Sequence, residues 1–97
     1  MCKSEIYAQI LSAVSDETEV PESLIASPDR AAEVVDARYL LVYFLARRGF
    51  YASMIAPMIG HKKRSINYIL SNFERRLSGS PMMRLCYEHL KQKWGGQ

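Results

Sequence analysis

Seven consecutive residues, Tyr39-Leu40-Leu41-Val42-Tyr43-Phe44-Leu45, leave no polar side on whatever element they form. They sit in a stretch from Asp29 to Arg48 that holds neither proline nor glycine. A buried strand is one reading of such a run. However, only Val42 in it is β-branched, and helical patterning continues in both directions, so a helix is the better reading. A helix that is apolar all round must be surrounded by other helices. This feature predicts an all-α fold of five or six helices packed around a central helix over 28–48. Ser27-Pro28-Asp29 predicts its start, with a Ser cap, proline at the first helical position and an acid in the first turn. Arg47, Arg48 and Gly49 predict its end, with cations complementing the dipole and glycine supplying a left-handed stop.

The remaining segments supply the surrounding helices. Ile6, Ile10, Leu11 and Val14 recur at helical spacing and predict a helix over about 3–15. Residues 20–25 predict one short turn beginning at Pro21. Residues 52–59 form a short apolar segment before Gly60. Pro57 inside it removes a hydrogen bond and predicts a kink. Tyr51 stands where a Ser or Thr cap is common. Ile66, Ile69, Leu70, Phe73 and Leu77 form one stripe on a helix over about 62–78, ended by Gly79. Ser80-Pro81 repeats the cap-and-proline start and predicts a last helix over about 81–94, with Met83, Cys86, Leu90 and Trp94 buried. Gly95-Gly96-Gln97 reads as a frayed tail. The whole chain, 1–97, reads as a single domain.

Several function classes are excluded as expectations. The longest apolar run is far short of the roughly 20 residues that cross a bilayer, so no membrane partner is expected. The first residues lack the apolar core of a secretory signal. Cys2 and Cys86 are too few for a disulfide framework and read as reduced thiols of a cytoplasmic protein. His61 and His89 stand far apart with no clustered ligands, so no metal site is expected. No phosphate-loop motif occurs. A chain of 97 residues has little apolar surface to spare for a substrate cavity. No cofactor, no small-molecule substrate and no enzymatic activity are expected.

Charge is divided along the chain. Residues 1–36 carry eight acids against two bases, a net −6, and residues 37–97 carry eleven bases against two acids, a net +9. Such a split fits a basic face for a polyanion; it also fits solvated helix charges. Within the basic part, 52–78 reads as a short helix, a turn near Gly60 and a longer helix, which is the helix-turn-helix plan. Lys62, Lys63 and Arg64 fall in the first turn of the second helix, where its dipole disfavours cations. A local cost of that kind points to a partner outside the chain. Arg64, Ser65 and Asn67 are the candidates for base edges, Asn67 through adenine. Tyr68 is a candidate for a phosphate or sugar, or covers the stripe edge. Arg47 and Arg48 are helix-end charges or phosphate contacts. Arg75 and Arg76 read as solvated.

Several stretches resemble the C-terminal DNA-binding domain of the bacterial replication initiator DnaA. Ala37-Arg38 followed by Tyr43 resembles its central helix, and Ile55-Ala56 with Met58-Ile59-Gly60 resembles its first helix-turn-helix element. The family follows that glycine with Arg-Asp-His-(Ser/Thr)-Thr-Val; here the residues are His61-Lys62-Lys63-Arg64-Ser65-Ile66. The resemblance covers about 5–78 and implies a helix-turn-helix fold like that domain and the Trp repressor. It implies double-stranded DNA as partner, with 62–68 in the major groove and His61 at its edge, and a nucleoid-associated place in a bacterial cytoplasm. Arg38 matches a family arginine, and is either a phosphate contact or paired with an acid of its own helix. The family's base-reading Asp-His-Thr-Thr run survives only at Ser65, and its basic loop before the central helix is reduced to Arg30 beside Asp29. Altered or reduced sequence specificity is therefore expected. The family's ATPase motifs do not occur. The alternative from another class is a protein-interaction module that kept the fold without DNA binding.

Overall fold

In the computed structural model, residues 2–95 are described. They form six α-helices: α1 (Lys3–Thr18), α2 (Glu22–Ile25), α3 (Ala32–Arg47), α4 (Ala52–Ile59), α5 (Lys63–Ser78) and α6 (Pro81–Leu90). A π-helical turn (Lys91–Gly95) follows α6. No strand occurs among the described residues. The fold is all-α, and no helix is long and apolar enough to cross a membrane. The tail residues Gly96 and Gln97 lie outside the described residues.

The central helix is where its composition requires it. From Ala37 to Val42 every residue of α3 is buried, as are Phe44 and Leu45. α3 touches every other helix. Its end follows expectation. Gly49 at φ 92° reverses the chain, so that the Phe50 N–H reaches the Leu45 carbonyl at 3.1 Å and the Phe50 ring returns to the core.

The start of α3 is a correction. The helix begins at Ala32, not at Pro28, and its cap position, Ala31, offers no side chain to the helix. The two polar residues of the expected start make local turn bonds, beginning with Ser27 Oγ, which accepts the Asp29 N–H at 3.2 Å. The Ser27 hydroxyl donates to the Leu24 carbonyl at 2.6 Å, closing α2. Asp29 Oδ1 accepts the Ala31 N–H at 2.9 Å, which makes a local turn in place of a first helical turn. Ser80-Pro81 does what the same dipeptide signals: Ser80 Oγ accepts the Met83 N–H at 3.2 Å and Pro81 opens α6.

Two other boundaries, the ends of α1 and of the last helix, differ from expectation. α1 continues to Thr18, because Ser15 and Thr18 turn their hydroxyls onto the Val20 and Val14 carbonyls, and it ends with Glu19 in the left-handed region at φ 60°. Pro57 lies inside α4, and the helical assignment continues past it to Ile59. The last α-helix ends at Leu90, and Trp94 stands on the π-helical turn with the Arg48 guanidinium 5.5 Å from its ring centroid. Tyr51, at the start of α4, is exposed and its side chain does not cap.

An aromatic cluster joins α3, α5 and α6. Tyr43 stacks on Phe73 at 4.2 Å and meets Phe44 edge-on at 5.1 Å, and its hydroxyl lies 3.4 Å from that of Tyr87. The hydrogen bond to Tyr43 and burial together push the Tyr87 phenol up to about 12. The folded state therefore holds a proton that the unfolded chain releases near the ordinary phenol value of about 10. Stability from this group is complete below about pH 10 and is lost as pH rises to about 12. Urea midpoints measured across this window should fall with pH, and Tyr87→Phe should remove part of that fall. A slope identical in the variant would assign the alkaline loss to other groups.

Candidate nucleic-acid interface and the adjoining groove

α5 is amphipathic by construction. Ile66, Ile69, Phe73 and Leu77 are buried against the neighbouring helices, while Lys63, Arg64, Asn67, Tyr68, Ser71 and Arg75 are exposed. The turn that sets its angle is three residues long. Gly60 takes φ 69° and ψ 31°, and the His61 N–H closes back on the Ala56 carbonyl at 2.9 Å. An L-residue in the left-handed region at this point would be strained, which is why glycine stands there.

The start of α5 is unusually cationic. Lys62 is its cap residue, contributes no side-chain hydrogen bond, and no acid stands in the first turn. The first backbone bond of the helix is from the Ile66 N–H to the Lys62 carbonyl at 3.1 Å. The N–H groups of Lys63, Arg64 and Ser65 therefore precede the intrahelical ladder. Lys62, Lys63 and Arg64 are all exposed, and the helix dipole and three cations point the same sign of potential outward.

Beside this helix start lies a half-open groove of about 800 Å³ between α5 and the 26–31 loop with the first turns of α3. Arg30, Arg64, Ser65, Tyr68, Tyr39 and Arg76 all line it. Its walls are tied together by long-range hydrogen bonds. His61 Nε2 lies 2.9 Å from the Ser27 carbonyl. A carbonyl only accepts, so Nε2 carries the hydrogen. Arg76 Nε donates to Asp36 Oδ1 at 2.6 Å, with the guanidinium 5.1 Å from the Tyr39 ring centroid.

Arg38 is the floor of this region, and its environment corrects both sequence-based readings. It is 4% exposed. Its Nε donates to the Ile25 carbonyl at 2.9 Å and its Nη2 to the Leu24 carbonyl at 3.2 Å. These are carbonyls at the end of α2, which a helix terminus leaves unsatisfied. Arg38 is thus held by backbone and not by an acid of α3, and it is not displayed for a phosphate. Burial lowers its guanidinium pKa, with Asp29 acting in the opposite direction.

The ten sequence-chosen residues divide into three groups. Lys62, Lys63, Arg64 and Asn67 stand together, exposed, at the start of α5. Arg64, Ser65 and Tyr68 line the groove, with His61 and Arg38 in its wall and floor. Arg47 and Arg48 leave the opposite end of α3 from the residues that line the groove; the Arg47 guanidinium is 6.0 Å from the Tyr43 centroid and Arg48 stacks over Trp94. They are not gathered with the helix start.

Two contributors were missed. Arg76, a solvated charge on a linear reading, pairs with Asp36 forty positions away. Nothing local in sequence marks such a pair. Arg30 was read only as a remnant of a basic loop, and it lines the groove exposed.

No family model, curated protein or solved structure matches this chain. The likeness to the DnaA domain stands on the quoted residues alone.

Proposed function

We propose that this chain is a double-stranded DNA-binding domain of the helix-turn-helix kind, similar to the DNA-binding domain of DnaA, with the start of α5 in the major groove. The observation that carries this reading is the start of α5 itself. Lys62, Lys63 and Arg64 are exposed there with no acid in the first turn, on a helix held by a three-residue turn and an apolar inner face. Cations and unladdered N–H groups at a helix start favour phosphates, and the diameter of a helix suits a major groove.

In this reading, Lys62, Lys63 and Arg64 neutralise phosphates, and Arg64 and Asn67 also reach toward base edges. Ser65 is half-buried in the groove wall, so its share in base contact is the smaller. Base-edge pairing by Arg64 and Asn67 differs in chemistry from an Asp-His-Thr-Thr run, and a target other than the usual initiator box follows. Residence on the bacterial nucleoid follows from the same reading.

Titration of the whole chain against a mixed-sequence duplex at low salt tests the proposal. Binding that weakens steeply with salt is expected, and selection from a random duplex pool should enrich one motif. No binding to any duplex at low salt would sink it and favour a protein-interaction module.

A further inference from the structure

The groove beside α5 has a chemistry distinct from that of the helix start. Four guanidinium groups line it, but two are already engaged: Arg38 by backbone carbonyls and Arg76 by Asp36. Arg30 and Arg64 make no hydrogen bond or ion pair among the described residues, and they stand on different walls. The available positive charge suits one phosphate group and not a polyanion track.

Tyr68, on the next turn of α5 from Arg64, adds a second, independent element. Tyr68 is 64% exposed, and its ring has no aromatic or cationic partner among the described residues. The other rings of this part of α3 and α5 are engaged: Tyr39 lies under Arg76, and Tyr43 is stacked on Phe73. An exposed, unpaired tyrosine on a basic wall is a platform on which a flat base can stack.

The groove's size and stiffness agree. About 800 Å³ falls within the range of small-ligand sites and is far more than a bare phosphate fills. The His61–Ser27, Arg76–Asp36 and Asp29–Ala31 bonds fix both walls before any ligand arrives. Less ordering is then needed on binding.

We propose that this groove binds a nucleoside monophosphate, its phosphate between Arg30 and Arg64 and its base against Tyr68. The site overlaps the proposed duplex contact at Arg64. A phosphate in the groove and a phosphate of a duplex compete for that one guanidinium. Only this competition rests on the DNA-binding reading, so the site is tested without DNA present.

The test is titration of the whole chain with AMP, adenosine and inorganic phosphate, followed by amide and tyrosine-ring NMR shifts and by calorimetry. AMP is expected to shift resonances of Arg30, Arg64 and Tyr68 and to bind more tightly than either adenosine or phosphate. Tyr68→Ala should weaken AMP about tenfold and leave phosphate unchanged, and Tyr68→Phe, which keeps the ring, should bind AMP like the parent. Arg64→Ala should weaken AMP and phosphate alike, and Arg75→Ala, exposed on α5 outside the groove, should change neither. The proposal is overturned if millimolar AMP shifts no groove residue, or if phosphate binds as tightly as AMP. It is equally overturned if Tyr68→Ala leaves AMP affinity intact or Arg75→Ala costs as much as Arg64→Ala.

Discussion

Replacing Lys62, Lys63 and Arg64 together by alanine is expected to weaken duplex binding roughly 500-fold at about 0.1 M salt. The same change should flatten the slope of log affinity against log salt from about −3.6 to about −0.9. These figures follow from about four neutralised phosphates, each releasing close to one counterion, with three of the four lost in the variant. All three side chains are exposed and unbonded at the start of α5, so the fold should survive the change; a circular dichroism spectrum and thermal midpoint check that point. The loss should be nearly uniform across sequences for the lysines, while Arg64→Ala alone should also relax preference at one base pair. A slope that stays at its parental value would move the polyanion surface away from α5.

Arg38→Ala is expected to lower stability by about 3 kcal/mol, which corresponds to a fall of roughly 12–24 °C in thermal midpoint for a domain of this size. The change removes one buried cation, but its larger effect is on what remains. The Ile25 carbonyl loses its side-chain donor and the Leu24 carbonyl keeps only the Ser27 hydroxyl, so the end of α2 is left under-satisfied. The 26–31 loop is anchored there and again at His61, so it should loosen in the variant. Measured where the variant is still folded, the salt slope of duplex binding should match the parent. A slope reduced by about 0.9 with stability intact would instead make Arg38 a phosphate contact.

These two predictions separate residues that sequence had placed in one group. Lys62, Lys63, Arg64, Arg38, Arg47 and Arg48 are all basic residues around a helix-turn-helix pattern, and a linear reading gives no means of ranking them. Periodicity places Arg38 on an apolar helix but cannot say which helix end its guanidinium meets. Its partners are the carbonyls of a four-residue helix thirteen positions away. Arg76 and Asp36 illustrate the same limit: a pair across two helices leaves no mark at any fixed spacing. The groove is a product of such pairs. His61, Arg38 and Arg76 each fix one part of its wall or floor through a bond of long sequence separation.

The paired Ser-Pro signals are equally instructive. Ser80-Pro81 and Ser27-Pro28 are the same local instruction. At Ser80 nothing competes for the hydroxyl, and it caps α6. At Ser27 the oxygen accepts the Asp29 N–H while the hydroxyl donates to the Leu24 carbonyl, but Asp29 then captures the Ala31 N–H and no helical turn follows. Local propensity at a cap is worth about 1 kcal/mol, little enough for neighbouring contacts to overrule it.

Sequence by itself determined the helical class, the central position of α3, the stops at Gly49 and Gly60, and the buried stripe of α5. Each of these follows from periodicity or from the residue type that adopts a left-handed backbone most readily, and both are local properties of the chain. The cationic start of α5 is local too, because a helix that buries Ile66, Ile69 and Phe73 must turn Lys63, Arg64 and Asn67 outward. Only the tertiary structure decided which arginines remain available. Burial and distant carbonyls take Arg38, Asp36 takes Arg76, and Arg30 and Arg64 are left facing one groove. Charge is written residue by residue, but whether a charge is engaged depends on what the fold brings within a few ångströms of it.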